Sequence, residues 1–259
     1  MSGRMPVKAR NSDLERLLAG LPPGRRQKII AGAASPELEE EFAALDAAAL
    51  AEAARDRAVY RRRRYENEMR PPAYADASTR NLLKQQDPGG RLSGWLGSPH
   101  RNLLVMGPSG HGKSHAAYAI TNAAIDAGLW VEAWYVPDLV AALSPPEAHE
   151  RRDPDRAAQR ERRMERVQEC DLLLLDDLGR EPATPHIHER WRSQLTTILT
   201  HREGARLRTI VTANAEERAT GTRVLEPYGA PVITRLRGDC IGAWIEGDCL
   251  RVEAAWNPF

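Results

Sequence analysis

The chain has 259 residues, and 37 Lys and Arg against 36 Asp and Glu leave a formal charge of +1, so no general basic field marks it for nucleic acid. A hydrophobic content of 42% is enough to build a core, and no run approaches the roughly 18 apolar residues of a membrane span. Three cysteines (Cys170, Cys240, Cys249) form no C-x-x-C pair, which excludes a zinc ribbon and a disulfide scaffold.

The basic residues are almost all arginine, with lysine only at Lys8, Lys28, Lys84 and Lys113. The amino end, MSGRMPVKAR, has no apolar stretch behind its charges, so a cytoplasmic location in a bacterial or phage-infected cell is expected.

In chain order, Leu14, Leu17, Leu18 and Leu21 form a short apolar stripe. Ser35-Pro36-Glu37 then reads as a helix start, with a capping residue, proline in the first turn and acids behind it. Leu38, Phe42, Leu45 and Ala49 keep helical spacing, and the alanine-rich run ends at YRRRRYENEM before Pro71-Pro72. Four consecutive arginines, Arg61 to Arg64, cover all faces of a helix and read as a solvated end. Residues 1–74 are expected to be an all-helical segment that binds a partner, and 75–259 the main domain.

From there strands and helices alternate. Strands are predicted at 102–106, 129–136, 171–175 and 208–212, with helices at 114–127, 155–169 and 187–203 between them. A β-like pair follows at 240–246 and 249–254. This pattern predicts an α/β fold, a mainly parallel sheet covered on both faces. The stretch 144–168 is rich in proline and charge and reads as an insertion. Its arginines are matched by nearby acids, as on a solvated helix.

Gly107-Pro108-Ser109-Gly110-His111-Gly112-Lys113-Ser114 is a full G-x-x-x-x-G-K-[ST] match, entered by an apolar strand and left by a helix that carries His115 in its first turn. Glycines let backbone N–H groups turn into one concavity at a helix N-terminus. Lys113 is suited to the β- and γ-phosphates of ATP, and the Ser114 hydroxyl to Mg²⁺. Leu172-Leu173-Leu174-Leu175-Asp176-Asp177 reads as a central strand with two carboxylates at its carboxyl end, where open α/β sheets bind ligands. Asp176 is the expected Mg²⁺ residue, and Asp177 the base or orienting group for the attacking water. Thr209-Ile-Val-Thr212 ends in Ala213-Asn214, whose amide is expected at the γ-phosphate and the water.

GPSGHGKS, LLLLDDLG, TIVTAN and VITRLRGDCIGAWIEGDCLR together resemble AAA+ ATPases of the DnaC/DnaI helicase-loader and IstB transposition-helper group, over roughly residues 70 to 254. The resemblance implies a P-loop NTPase core with a three-layer parallel sheet, ATP and Mg²⁺ at the loop, and an arginine finger at Arg235, with Arg237 as its rival. Such a finger completes the ATP site of a neighbouring subunit, so self-association through that site is implied. Twenty-two residues follow Arg237, and no helical lid is expected there. The contacts to adenine are expected from the 70–100 segment.

The leading implication is a loader that binds a DnaB-like replicative helicase and helps place it on single-stranded DNA, with no membrane role. Two alternatives stand beside it. One is an IstB-like transposition helper acting on duplex DNA. The other is a nucleotide-gated adaptor with little hydrolysis, because Asp177 stands where many AAA+ proteins carry Glu.

Overall fold

A computed structural model describes residues 36–144, 154–182, 184–218 and 221–250. The stripe at Leu14–Leu21 and the capping residue Ser35 lie outside them. The chain divides into two compact units, Met1–Arg57 and Ala58–Phe259. Helix α1 (Pro36–Arg64) begins in the first and ends in the second. Residues 58–74, grouped by sequence with the amino-terminal segment, belong to the second unit. Among the described residues no helix is long and apolar enough to cross a membrane.

The second unit continues with β1 (Asn102–Gly107), α2 (Lys113–Asp126), β2 (Val131–Tyr135), α3 (Val136–Leu143) and α4 (Pro154–Glu169). Then follow β3 (Leu172–Leu178), α5 (Pro185–Gly204), β4 (Arg208–Asn214), α6 (Gly229–Arg237) and β5 (Cys240–Trp244). All strands are parallel, in the order β2-β3-β4-β1-β5. The expected three-layer α/β sheet is therefore present.

Side chains alternate across each strand and build two cores. Leu103, Val105, Leu172, Leu174 and Ile210 face α2 and the segment holding Tyr65, Leu92 and Trp95. Leu104, Leu173, Leu175 and Val211 face α3 to α6 through Leu139, Val167, Trp191, Leu195 and Val232. Leu172 to Leu175 of β3 are fully buried because each face has its own cover.

Three details depart from the sequence reading. Helix α3 was not anticipated, although Pro137 in its first turn and Val136, Leu139, Val140 and Leu143 at helical spacing announce it. Helix α6 was likewise missed. Strand β5 lies beside β1, but Cys249 and Leu250 are not in a strand as expected. They cross the phosphate-binding loop instead, where the Leu250 N–H donates to the Gly110 carbonyl at 2.8 Å. Residues 251–254 lie outside the described residues.

The arginine cluster is docked in part: Arg61, Arg62 and Arg64 have partners in the core unit, while Arg63 is exposed as the sequence suggested. Arg61 stacks over Trp130 at 4.4 Å, and Arg62 pairs with Asp126 at 2.6 Å. Arg64 grips Glu132 with both terminal nitrogens, while Arg166 approaches the same carboxylate at 3.6 Å. Trp134 Nε1 also donates to Glu132, whose side chain is fully buried on edge strand β2. A buried ion pair gains little net stability over apolar packing, yet breaking it strands a charge. Arg202 follows the same logic without a carboxylate. Fully buried at the end of α5, it donates to the carbonyls of Val167, Cys170 and Arg208 and to Thr209 Oγ1. It thereby ties the ends of α4 and α5 to the start of β4.

Glu132→Ala is expected to lower unfolding free energy by about 1–3 kcal/mol in urea titrations, because the partly buried Arg64 keeps only the exposed Glu68 as an acidic partner. Glu132→Ala combined with Arg64→Ala is expected to cost less than the sum of the two single changes.

Candidate functional site: a phosphate loop facing two carboxylates

Residues 107–112 leave the carboxyl end of β1 and turn directly into α2 at Lys113. Two glycines in this turn are required by close approach. At Gly107, φ is +149° and a Cβ would lie 2.0 Å from the Ile245 carbonyl oxygen. At Gly112, φ is +91° and a Cβ would lie 2.2 Å from Gln86 Nε2. No side chain caps the N-terminus of α2, so its first N–H groups keep the positive end of the helix open to an anion. Lys113 is buried, and its Nζ donates to the Pro108 carbonyl at 2.6 Å.

A cavity of about 480 Å³ opens here. Ser109, Gly110, Gly112, Lys113, Ser114 and His115 form its phosphate-loop wall, and Asp177 and Asn214 face them. Its remaining wall comes from Tyr74, Asn81, Leu83, Gln86 and Leu250. A polar end with an uncapped helix and an end with aromatic and aliphatic side chains suit a nucleotide.

The sequence-predicted residues fall into four groups. The cavity brings together Ser109, Gly110, Gly112, Lys113, Ser114, His115, Asp177 and Asn214. Asp176 stands behind Ser114, whose hydroxyl donates to Asp176 Oδ1 at 2.9 Å. Gly107, Pro108 and His111 shape the loop without lining the cavity, and the His111 ring Nδ1 lies 2.9 Å from the Ser109 carbonyl oxygen. Arg235 is elsewhere, beside a second cavity of about 330 Å³ lined also by Asn102, Arg202 and Asp239, at the amino ends of β1 and β4. Its Nη1 donates to the Pro231 carbonyl at 2.8 Å and its Nε lies 3.5 Å from Glu203. Arg235 thus makes no contact with its own chain's phosphate loop, and Arg237 beside it is exposed.

Sequence reasoning missed Gln86, Tyr74 and Leu250 individually. Gln86 is buried, donates to the Gly112 carbonyl at 3.4 Å and reaches His115 Nδ1 at 3.3 Å. Tyr74 stacks on Tyr118 with ring centres 4.7 Å apart. Pro71-Pro72 before it was the available signal, since prolines mark an ordered turn into the domain.

The two carboxylates differ sharply. Asp177 is partly exposed to the cavity, and Asn214 Nδ2 donates to its Oδ1 at 3.2 Å. Asp176 is buried, and burial pushes its carboxyl up to about 6, while hydrogen bonds from Thr212 and Ser114 and the charge of Lys113 oppose the rise. Burial also holds the His115 imidazole below the usual histidine range. A hydroxyl and a carboxylate in contact, both hard oxygen donors beside an anion-binding helix end, fit Mg²⁺.

Against known proteins, residues 95–219 match the family model described as IstB-like ATP binding protein. A curated relative, a putative insertion sequence ATP-binding protein of Sinorhizobium fredii, is 34% identical over 158 residues, or 61% of this chain. The chain spans only 59% of that relative's length. Among solved structures, the DnaC helicase loader aligns with a TM-score of 0.55 and 20% identity, over 68% of this chain and all of the other. AMPPCP-bound DnaA from Aquifex aeolicus gives 0.53 and 19%, over 67% and 51% of the two chains. These likenesses establish the α/β P-loop NTPase fold.

Asp176 makes a prediction about the nucleotide-free chain. Its folded carboxyl titrates near 6, above the unfolded value of about 3.9, so ionisation works against the fold. The penalty is absent below about pH 4, grows between about pH 4 and 6, and reaches about 3 kcal/mol above that. Asp176→Asn is therefore expected to melt several degrees higher than the parent at pH 8 and at about the same temperature at pH 4. Equal offsets at both pH values in thermal melts would contradict this.

Proposed function

We propose that this chain, whose residues 95–219 form an IstB-like ATP-binding domain, is an ATPase that uses nucleotide state to assemble a protein partner on DNA. The hydrolase reading is carried by one observation: an uncapped helix end with Lys113 and Ser114 shares a single cavity with the Asp177–Asn214 pair. The triphosphate lies along the loop, its β- and γ-phosphates against Lys113 and the α2 N–H groups, and its base toward Tyr74, Leu83 and Leu250. Ser114 and Asp176 are the residues that would hold Mg²⁺, which when bound offsets charge on the phosphate oxygens.

Asp177 orients the attacking water and takes its proton as the oxygen bonds to the γ-phosphorus and the bond to the bridging oxygen breaks. Asn214 keeps the Asp177 carboxylate turned to that water. Arg235, distant from its own loop, acts on the γ-phosphate of a second copy of the chain, so turnover depends on self-association.

The partner favoured is a transposase of an insertion sequence, with duplex DNA as the platform. The 34% identical relative is named as an insertion sequence ATP-binding protein, and that identity exceeds the 20% shared with the helicase loader. The amino-terminal segment, residues 1–74, carries the partner contact. A loader of a replicative helicase on single-stranded DNA uses the same core chemistry and is the alternative outcome of the partner test.

Phosphate release measured with and without duplex DNA tests the chemistry. The parent is expected to turn over ATP, and Lys113→Ala to lose nucleotide binding. Asp177→Asn is expected to bind ATP normally and to lose at least about 100-fold in rate. Arg235→Ala is expected to bind normally and to lose the part of the rate that rises with protein concentration. Parent turnover no faster than Lys113→Ala would leave a nucleotide-gated adaptor.

For the partner, the full chain with ATP is expected to retain a purified transposase encoded by the same mobile element on duplex DNA. Retention of a replicative helicase on single strands instead would reverse the assignment.

A further inference from the structure

Thr212 is fully buried in β4, opposite Asp176 and Asp177 of β3. The β3–β4 ladder runs in register from Leu172 opposite Arg208 to Leu175 opposite Val211, breaks, and resumes with Leu178 opposite Ala213. Two residues of β3, Asp176 and Asp177, therefore stand against Thr212 alone, which is the geometry of a β-bulge. The extra residue takes Asp177 to φ +61°, a left-handed conformation that aspartate tolerates better than most side chains. The bulge also deprives the Asp177 N–H of a ladder partner.

Thr212 Oγ1 resolves both consequences. It accepts the Asp177 N–H at 2.8 Å and donates its own hydrogen to Asp176 Oδ1 at 2.6 Å. The single hydroxyl hydrogen is thus committed to one carboxylate, and a lone pair to the backbone of the next. We propose that Thr212 is a positioning residue of the hydrolytic site: its hydroxyl holds the bulge that turns Asp177 into the cavity and keeps the Asp176 carboxylate against Ser114. The inference rests on the ATPase reading above. It also explains why adjacent aspartates on one strand take different places, one lining the cavity and one behind the loop.

Valine keeps the branched shape of threonine without either hydrogen bond, and serine keeps both bonds without the methyl group. The test compares full-length parent, Thr212→Val and Thr212→Ser chains by kcat and KM for phosphate release. A second measurement is affinity for a non-hydrolysable ATP analogue with and without Mg²⁺.

Thr212→Val is expected to lose about tenfold or more in kcat, with KM rising no further than the Mg²⁺-dependent affinity falls, as loss of a buried charge-assisted hydrogen bond implies. Its affinity without Mg²⁺ is expected to match the parent, while the gain in affinity on adding Mg²⁺ shrinks. Thr212→Ser is expected to stay within about threefold of the parent on every measure. Thr212→Ala, which introduces no bulk, repeats the comparison with serine if the valine chain does not fold.

Unchanged kcat in the valine and alanine chains, or a serine chain that falls as far as they do, overturns the proposal. A parent that binds the analogue but releases no phosphate overturns the ATPase reading alone. The Mg²⁺-dependent affinities then still decide Thr212: a gain lost without the hydroxyl and kept by serine supports it, and equal gains throughout overturn it. A parent that binds no nucleotide defeats both.

Discussion

The parallel ladder joining β3, β4 and β1 is the constraint on which the candidate site depends. Because these strands run the same way, their carboxyl ends reach one edge of the sheet together. Gly107 is directly opposite Asn214, so the first residue of the phosphate loop and the strand-end amide are neighbours by register. One strand further, the β3 bulge sets Asp177 within reach of that amide. No long loop has to be ordered to bring these groups together, and the cost of positioning them is already met by the sheet. Such a sheet must be covered on both faces. That requirement accounts for the unbroken leucine run of β3 and for helices that turn apolar faces to both sides of the sheet.

Arginine use around the core shows a second economy. A guanidinium carries five donors in a fixed fork, so one buried side chain can satisfy several acceptors from separate elements. Arg202 does this for three carbonyls and a hydroxyl. Arg208 does it for the carbonyls of Trp95, Ser98 and His100 while lying over the Trp95 ring. Arg64 does it for Glu132. These contacts specify which ends of helices and strands meet, more than they add net stability. A composition of many arginines and four lysines is in keeping with this use, and near neutrality follows because acids such as Glu132, Asp126 and Glu203 face them.

The parts of the site that were legible beforehand are those whose chemistry is written in local spacing. The glycines, Lys113 and Ser114 act through one turn and the helix it starts, so their order along the chain is nearly their arrangement in space. Asp176, Asp177 and Asn214 were legible because each closes an apolar strand, and strand ends are where a parallel sheet presents polar groups. Helix α3 was legible in principle from Pro137 and its 3.6-residue apolar period, but it is short, and the strand predicted at 129–136 and the charged stretch after it hid it. Arg61, Arg62 and Arg64 misled for a related reason. A run of charge reads as solvated unless its partners are known, and Trp130, Asp126 and Glu132 lie far along the chain.

The sequence by itself determined the class of fold, the phosphate loop, and which strand ends carry carboxylates and amide, because hydrophobic period and loop chemistry are local properties of a chain. Only the tertiary structure decided that Gln86, Tyr74 and Leu250 close the cavity, that Arg235 stands away from its own loop, and that Thr212 links both aspartates. Each of these depends on which remote segment is brought within a few ångströms. The register of the sheet and the packing of its two faces decide that, and no short stretch of sequence records it.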